Sequence, residues 1–350
     1  KTTTVTGVAG VGYFVNTSGG AVTANLPAGT AGDVIAFADY AATWQTNNLT
    51  VSPNGTEKIG GTNADVSLNT EGQSVTFVYV DSTQGWLNTM DSTSNVRGSP
   101  FLTATVSGAC NTLVTAPCCA NVKIATFTSP GSFTVTNVSS IAAENTVGYM
   151  VVAGGGGGGI VRAGAGGAGG FREGRNVPID NFTASPLVAN APTNAVTVTA
   201  QTYPITVGAG GGAGAGSACG TPSYVAATSG SNSIFSTIIS TGGGKGGSNS
   251  PPTFPSTEKA GGSGGSGGGE VDTPTCQAGT GNTPPVSPAQ GNNGGAGAPG
   301  PKYGAGGGGG ATAAGANGTT SAGGNGGAGA TTSITGSPVA RAGGGGGAAW

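Results

Sequence analysis

Apolar and polar positions alternate along the first part of the chain. Val34-Ile35-Ala36-Phe37, Ser74-Val75-Thr76-Phe77-Val78-Tyr79-Val80 and Ser132-Phe133-Thr134-Val135-Thr136 each repeat with a period of two, as a strand with one buried face does. Ser52-Pro53-Asn54-Gly55-Thr56 signals a hairpin or tight turn, because Asn and Gly tolerate positive φ at both central positions. Nothing before residue 148 has a helical period. The pattern predicts an all-β module over residues 1–97, with Trp44, Trp86, Phe37, Phe77 and Tyr79 as its core aromatics. A second small β segment is expected over 98–147, leading into the glycine-rich remainder of the chain.

From residue 148 the pattern changes in kind. Of 74 glycines, 15 lie before this point and 59 in residues 148–350, with unbroken runs at 154–159, 306–310 and 343–347. Glycine loses more conformational freedom on folding than any other residue, so a flexible linker is the alternative to any ordered state. Three ordered states compete. Collagen needs Gly at every third position, and Tyr303 and the long non-glycine inserts break that register. Silk-like stacking needs sustained Gly-Ala alternation, which only 208–216 approaches. A polyproline-II-like helix of glycine has three residues per turn, so a run of six spans about 19 Å. It has no internal hydrogen bonds, and its amides must pair with neighbouring helices. Period-three traces at Gly261-Gly262-Ser263, Gly264-Gly265-Ser266 and Gly323-Gly324-Asn325 favour this state. The expected fold class is mainly β: small N-terminal β modules, then a glycine-rich domain (148–350) of short strands and bundled polyglycine-II-like helices.

Charged residues make up only 7% of the 350, the net charge is −2 and histidine is absent. Nucleic-acid binding needs a Lys/Arg surface to displace counterions, so this balance argues against it. The missing imidazole removes the commonest general base and metal ligand. No apolar stretch approaches the length of a spanning helix, so no membrane insertion is expected. The chain starts at Lys1 rather than Met, which reads as a piece of a longer or processed protein. Five cysteines, Cys110, Cys118, Cys119, Cys219 and Cys276, do not match zinc-site spacing. They allow one bridge from Cys110 to Cys118 or Cys119 and another from Cys219 to Cys276, or else free thiols.

Few motifs carry chemistry. Thr241-Gly242-Gly243-Gly244-Lys245-Gly246-Gly247 imitates a phosphate loop, but Gly246 stands where Ser or Thr must ligate magnesium. Carboxylates are scattered, with no glycosidase pair, and Asp33, Asp39 and Asp65 suit turns. Asn48-Leu49-Thr50 and Asn181-Phe182-Thr183 are formal glycosylation sequons, expected by chance in so Thr/Asn-rich a chain. The expectation is a protein that is not an enzyme, with no catalytic residue, cofactor or metal.

The order of motifs in the second half is informative. Ala125-Thr126-Phe127-Thr128-Ser129-Pro130-Gly131-Ser132-Phe133-Thr134-Val135 precedes Tyr149-Met150-Val151-Val152-Ala153 and the first glycine run. Tyr203-Pro204-Ile205-Thr206-Val207-Gly208, Ser233-Ile234-Phe235 before Thr241-Gly242-Gly243-Gly244, and Ser333-Ile334-Thr335 before the last run come in turn. Over residues 122–350 this series resembles the glycine-rich domain of bacteriophage tail-fibre and related virion appendage proteins. Residues 1–97 resemble more loosely the small β modules that precede such domains. Arg341 and Pro338 stand where the family more often has aromatic or small residues. The resemblance implies further sequence beyond Trp350 and a homotrimer built into a virion as an extracellular appendage. The implied partners are other virion tail proteins and a bacterial surface receptor. A surface-filament or extracellular-matrix protein on the same scaffold is the alternative. Loops on a rigid scaffold carry recognition, so the receptor-contact candidates are Tyr224, Phe254, Glu258 and Lys259 in the polar-aromatic inserts. Solvated loops or intersubunit packing are the commoner roles for such residues.

Overall fold

The computed structural model describes residues 1–92, 101–116, 122–139, 141–177, 179–192, 194–216, 224–249, 256–271 and 277–349. The described residues are mainly β, and their only helical turns are the single 3-10 turns Ala142–Glu144 and Ser256–Glu258. The chain divides into two compact units, Lys1–Ser99 and Pro100–Trp350.

The first unit contains β1 (Val5–Thr6), β2 (Gly12–Val15), β3 (Val22–Asn25), β4 (Val34–Asp39), β5 (Leu49–Ser52), β6 (Val66–Leu68), β7 (Ser74–Asp81) and β8 (Gly85–Ser92). Two four-stranded sheets form, in the orders β1-β3-β5-β6 and β2-β4-β7-β8. From β1 to β5 the chain visits the sheets alternately, so β1, β3 and β5 lie parallel in one and β2 and β4 parallel in the other. Antiparallel β6, β7 and β8 complete the two sheets.

Inward positions of both sheets meet in one core. Val22, Leu49 and Val51 come from one sheet, and Ile35, Phe37, Val75 and Phe77 from the other. All five aromatics expected there are buried, and Phe37 meets Phe77 edge-on, as Tyr79 meets Trp86. Trp44 sits on the β4–β5 connection with no exposed surface, its indole N–H donating to the Val15 carbonyl at 3.3 Å. Asp39 is buried too, and accepts backbone N–H bonds from Trp44, Gly72 and Ala41. The Asn54-Gly55 signal forms a tight turn, with Glu57 N–H on Asn54 O and Gly55 at φ 56°. It opens the longer β5–β6 connection rather than closing a two-residue hairpin.

In the second unit β9 (Thr103–Ser107), β10 (Thr112–Thr115), β11 (Lys123–Thr126), β12 (Gly131–Asn137), β13 (Thr146–Val147), β14 (Tyr149–Val152) and β15 (Phe171–Gly174) come first. After them come β16 (Val188–Ala189), β17 (Val196–Thr197), β18 (Thr202–Thr206), β19 (Ser233–Phe235), β20 (Ile238–Ser240), β21 (Ala330–Thr332) and β22 (Val339–Arg341). The motif strands β12, β18 and β19 lie in one sheet, ordered β20-β19-β18-β12-β9, with Phe133 opposite Tyr203 and Ile205 opposite Phe235, while β14 pairs with β15 in a second sheet, β14-β15-β16. Phe133, Tyr203 and Phe235 pack ring on ring over Val135, Tyr149 and Val151. β9 and β12 thus share a sheet with β18 and β20, which lead to glycine tracts, while β10 and β11 pair only with each other.

The tracts are neither strand nor α-helix. Tract 153–159 donates from Ala153, Gly156 and Gly159 to Gly170, Gly167 and Gly164, and from Gly154 and Gly157 to Ser231 and Thr228. Its carbonyls at Gly154 and Gly157 accept from Gly243 and Gly246, and those at Gly155 and Gly158 from Gly211 and Gly214. Each neighbour is met again three residues on, where a strand would meet it two residues on.

Tract 304–311 shows the pattern complete. It donates to 342–348, 267–270 and 313–316, and accepts from 165–168, 292–295 and 324–327, so six segments surround it. A Cβ on Gly306, Gly307, Gly308, Gly309 or Gly310 would lie 1.8–2.3 Å from a neighbouring backbone oxygen. None of these glycines has positive φ. Glycine is therefore demanded by the closeness of other backbones and not by a turn.

Candidate functional site

The strands stand at one end of the tracts. β14 runs into 153–159, 164–170 runs into β15, β18 leads to 208–216, and β20 leads to 241–247. The turn 160–163, joining two tracts, therefore lies at the opposite end. Ile160 is the hub there. Its N–H donates to Ser248 Oγ at 3.3 Å, and its carbonyl accepts from Asn249 N–H at 2.9 Å. A Cβ on Gly216 would lie 3.1 Å from the Tyr224 ring and 3.8 Å from Ile160 Cδ1. Ser248 N–H donates to the Glu258 carbonyl, and the Glu258 carboxylate pairs with the Lys245 ammonium.

Two sequence candidates, Tyr224 and Glu258, are thus brought to one loop end, with half-buried Lys259 next in the chain. The Lys259 carbonyl accepts Val271 N–H at 3.3 Å. Phe254, Cys118, Cys119, Cys219 and Cys276 lie outside the described residues. Cys110 is an exposed free thiol on a left-handed turn, φ 60°.

Sequence reasoning missed Arg162 and Tyr303. The Arg162 guanidinium lies 4.2 Å from the Tyr303 ring centroid, a cation–π contact across the loop end. Both residues have positive φ, 53° and 48°, as does Val161 at 49°. Non-glycine residues at positive φ beside glycine runs are not visible as a sequence signal. The Lys245 run is also explained: amides of Gly243, Gly244, Gly246 and Gly247 all bond to neighbouring tracts, leaving none of these four for a phosphate.

Away from the loop end, burial holds the Asp180 carboxyl above the ordinary carboxylate range, partly offset by the Asn176 N–H bond and the charge of Arg175. The folded state therefore keeps this proton longer than the unfolded chain, and the cost of ionising Asp180 grows as pH rises through its unfolded value of about 3.9. Asp180→Asn, which keeps the acceptor, is expected to raise Tm at pH 7 and to make no difference below about pH 3. Thermal melts of both proteins across that range check this. A gain that persists undiminished at the acid end would refute it.

Among the described residues no group of three or more His, Cys, Asp or Glu side chains is placed to hold a metal ion. No helix among them is long and apolar enough to cross a membrane. A comparison with characterised proteins gives no match to this chain. Residues 128–350, well over half the chain, match the family model described as a glycine-rich domain. The tracts, the loop end and four of the five strands of the larger sheet fall within that span, and the chain belongs to this glycine-rich domain family.

Proposed function

We propose that the glycine tracts are polyglycine-II-like helices and that the chain is a structural component of a phage tail fibre or virion appendage. The observation that carries the first part is the three-residue repeat of hydrogen-bond partners, completed on all sides of tract 304–311. Three residues per turn is the repeat of a polyproline-II helix, and the absence of positive φ in these tracts is compatible with it. The second part rests on the ordered motif series, three of whose strands, β12, β18 and β19, lie side by side in one sheet. Each backbone hydrogen bond contributes only about 0.5–1.5 kcal/mol net, so rigidity comes from many bonds made together. A scaffold of this kind suits an appendage that must persist outside the cell, and it leaves the loops free to vary.

In this reading the chain is homotrimeric, non-catalytic and joined to other virion tail proteins. Its loop end, with Tyr224, Glu258 and Lys259, faces a bacterial surface receptor. Mass spectrometry of purified virions should find the chain, and the isolated protein should compete with phage adsorption. Tyr224→Ala and Lys259→Ala should weaken that competition without lowering Tm. Absence from virions, with recovery in isolated extracellular filaments, would instead favour the matrix-protein reading.

A further inference from the structure

Tract 164–170 has only five of the six neighbours that surround tract 304–311. They are 153–159, 241–247, 266–269, 306–309 and 345–348. Its amides at Gly164, Gly167 and Gly170 serve one neighbour, and those at Ala165 and Ala168 another. The third row, Gly166 and Gly169, has no partner among the described residues. The vacant position lies between tracts 153–159 and 345–348, which both bond to this floor and make no bond to each other among the described residues. On these walls the carbonyls of Gly156, Gly343 and Gly346 likewise accept no bond among the described residues.

A second observation points the same way. Gly155 and Gly345 are exposed, and a Cβ on either would sit 3.8 Å from an unpaired floor amide, Gly169 N and Gly166 N respectively. Neither has positive φ; the nearest atom to the Gly155 Cβ position is Gly167 O at 3.6 Å, and nearest to the Gly345 position are Ala165 Cβ at 3.3 Å and Gly166 O at 3.4 Å. Interior glycines of this unit are crowded to about 2 Å, as at Gly308. At Gly155 a glycine thus stands beside the vacant position although the chain itself leaves room for a side chain.

An occupant must offer carbonyls to the floor and a row of N–H groups to one of the walls at three-residue intervals, and must carry no bulky side chain inward. A proline-rich peptide lacks the donors. The chain itself carries a fitting ridge. Tract 208–216 is largely exposed, and its amides at Gly210 and Ala213, three residues apart, have no partner among the described residues. We infer that the vacant sixth position beside tract 164–170 takes tract 208–216 of a second copy of this chain.

The inference rests on the homotrimeric reading above and gives it a surface. Ridge and vacancy are different patches of one molecule, so the contact is head-to-tail, the kind that closes into a ring.

The test uses the full chain. Light scattering on the wild type should give about three times the monomer mass. Gly155→Leu, which fills the vacancy, and Gly210→Leu, which blunts the ridge, should each give monomer with the wild-type circular dichroism and a Tm that no longer depends on protein concentration. Gly19→Leu, at an exposed glycine with nothing near its Cβ position, should leave the assembly intact. A wild-type trimer that survives both blocking substitutions overturns this interface and leaves the trimer standing. A wild type that is monomeric at every concentration overturns the trimer as well. Because either blocking variant alone decides the matter, failure of one to fold leaves the other.

Discussion

Gly308→Ala should unfold the glycine-rich unit or destabilise it by more than about 3 kcal/mol, at the upper end of overpacking costs. The added methyl would lie 2.0 Å from the Gly166 carbonyl oxygen, and that oxygen belongs to a tract held by neighbours of its own. No flexible side chain can move aside. Gly158→Ala is the matched control, because nothing lies within 4 Å of its Cβ position and its φ is not positive. It should be neutral, or stabilise by up to about 1 kcal/mol through the unfolded chain. Thermal melts and limited proteolysis of the two variants make the comparison. Equal tolerance of both would mean that the tracts are not packed as described.

Trp44→Ala should cost about 3–5 kcal/mol in the first unit, the range for removing a large buried aromatic. Trp44 has no exposed surface and closes the space between the two sheets. Its loss also leaves the Val15 carbonyl without the indole N–H. Denaturant unfolding monitored by the fluorescence of Trp86, buried in the same core, reports this unit. A loss below about 1 kcal/mol would show that the core closes over the gap, as sites that can collapse do.

Much of the fold was legible in the sequence because its signals are local. The alternation at 74–80 became β7, 132–136 fell within β12, and the five aromatics of the first unit are all in its core. What the sequence hid is non-local. Alternate visits to two sheets from β1 to β5 depend on how each connection crosses the core, and alternation in a strand says nothing about its partner. In the glycine tracts the residues are nearly identical, so no side chain marks which tract meets which, and the neighbours emerge only from the backbone pairing. At the loop end Tyr224 and Glu258 were nameable as polar and aromatic insert residues. Ile160, the residue that gathers them, looked like an unremarkable end to a glycine run. The Arg162–Tyr303 contact joins residues far apart in sequence through backbone conformations that composition does not encode.

The crowded interior around tract 304–311 buries peptide groups and hardly any hydrocarbon. Unfolding it hydrates polar surface, which lowers heat capacity by roughly 0.26 cal/mol/K per Å², against a gain of roughly 0.45 for apolar surface. The two units should therefore respond to temperature differently. The first, with its aromatic core, should trace the usual dome-shaped stability curve. The second, where the tracts outweigh the cluster around Phe133, should have a smaller heat-capacity increment per residue, and so a flatter curve. Its hold would then change little between cold and warm water, and calorimetry of the whole chain should resolve the two increments as separate transitions.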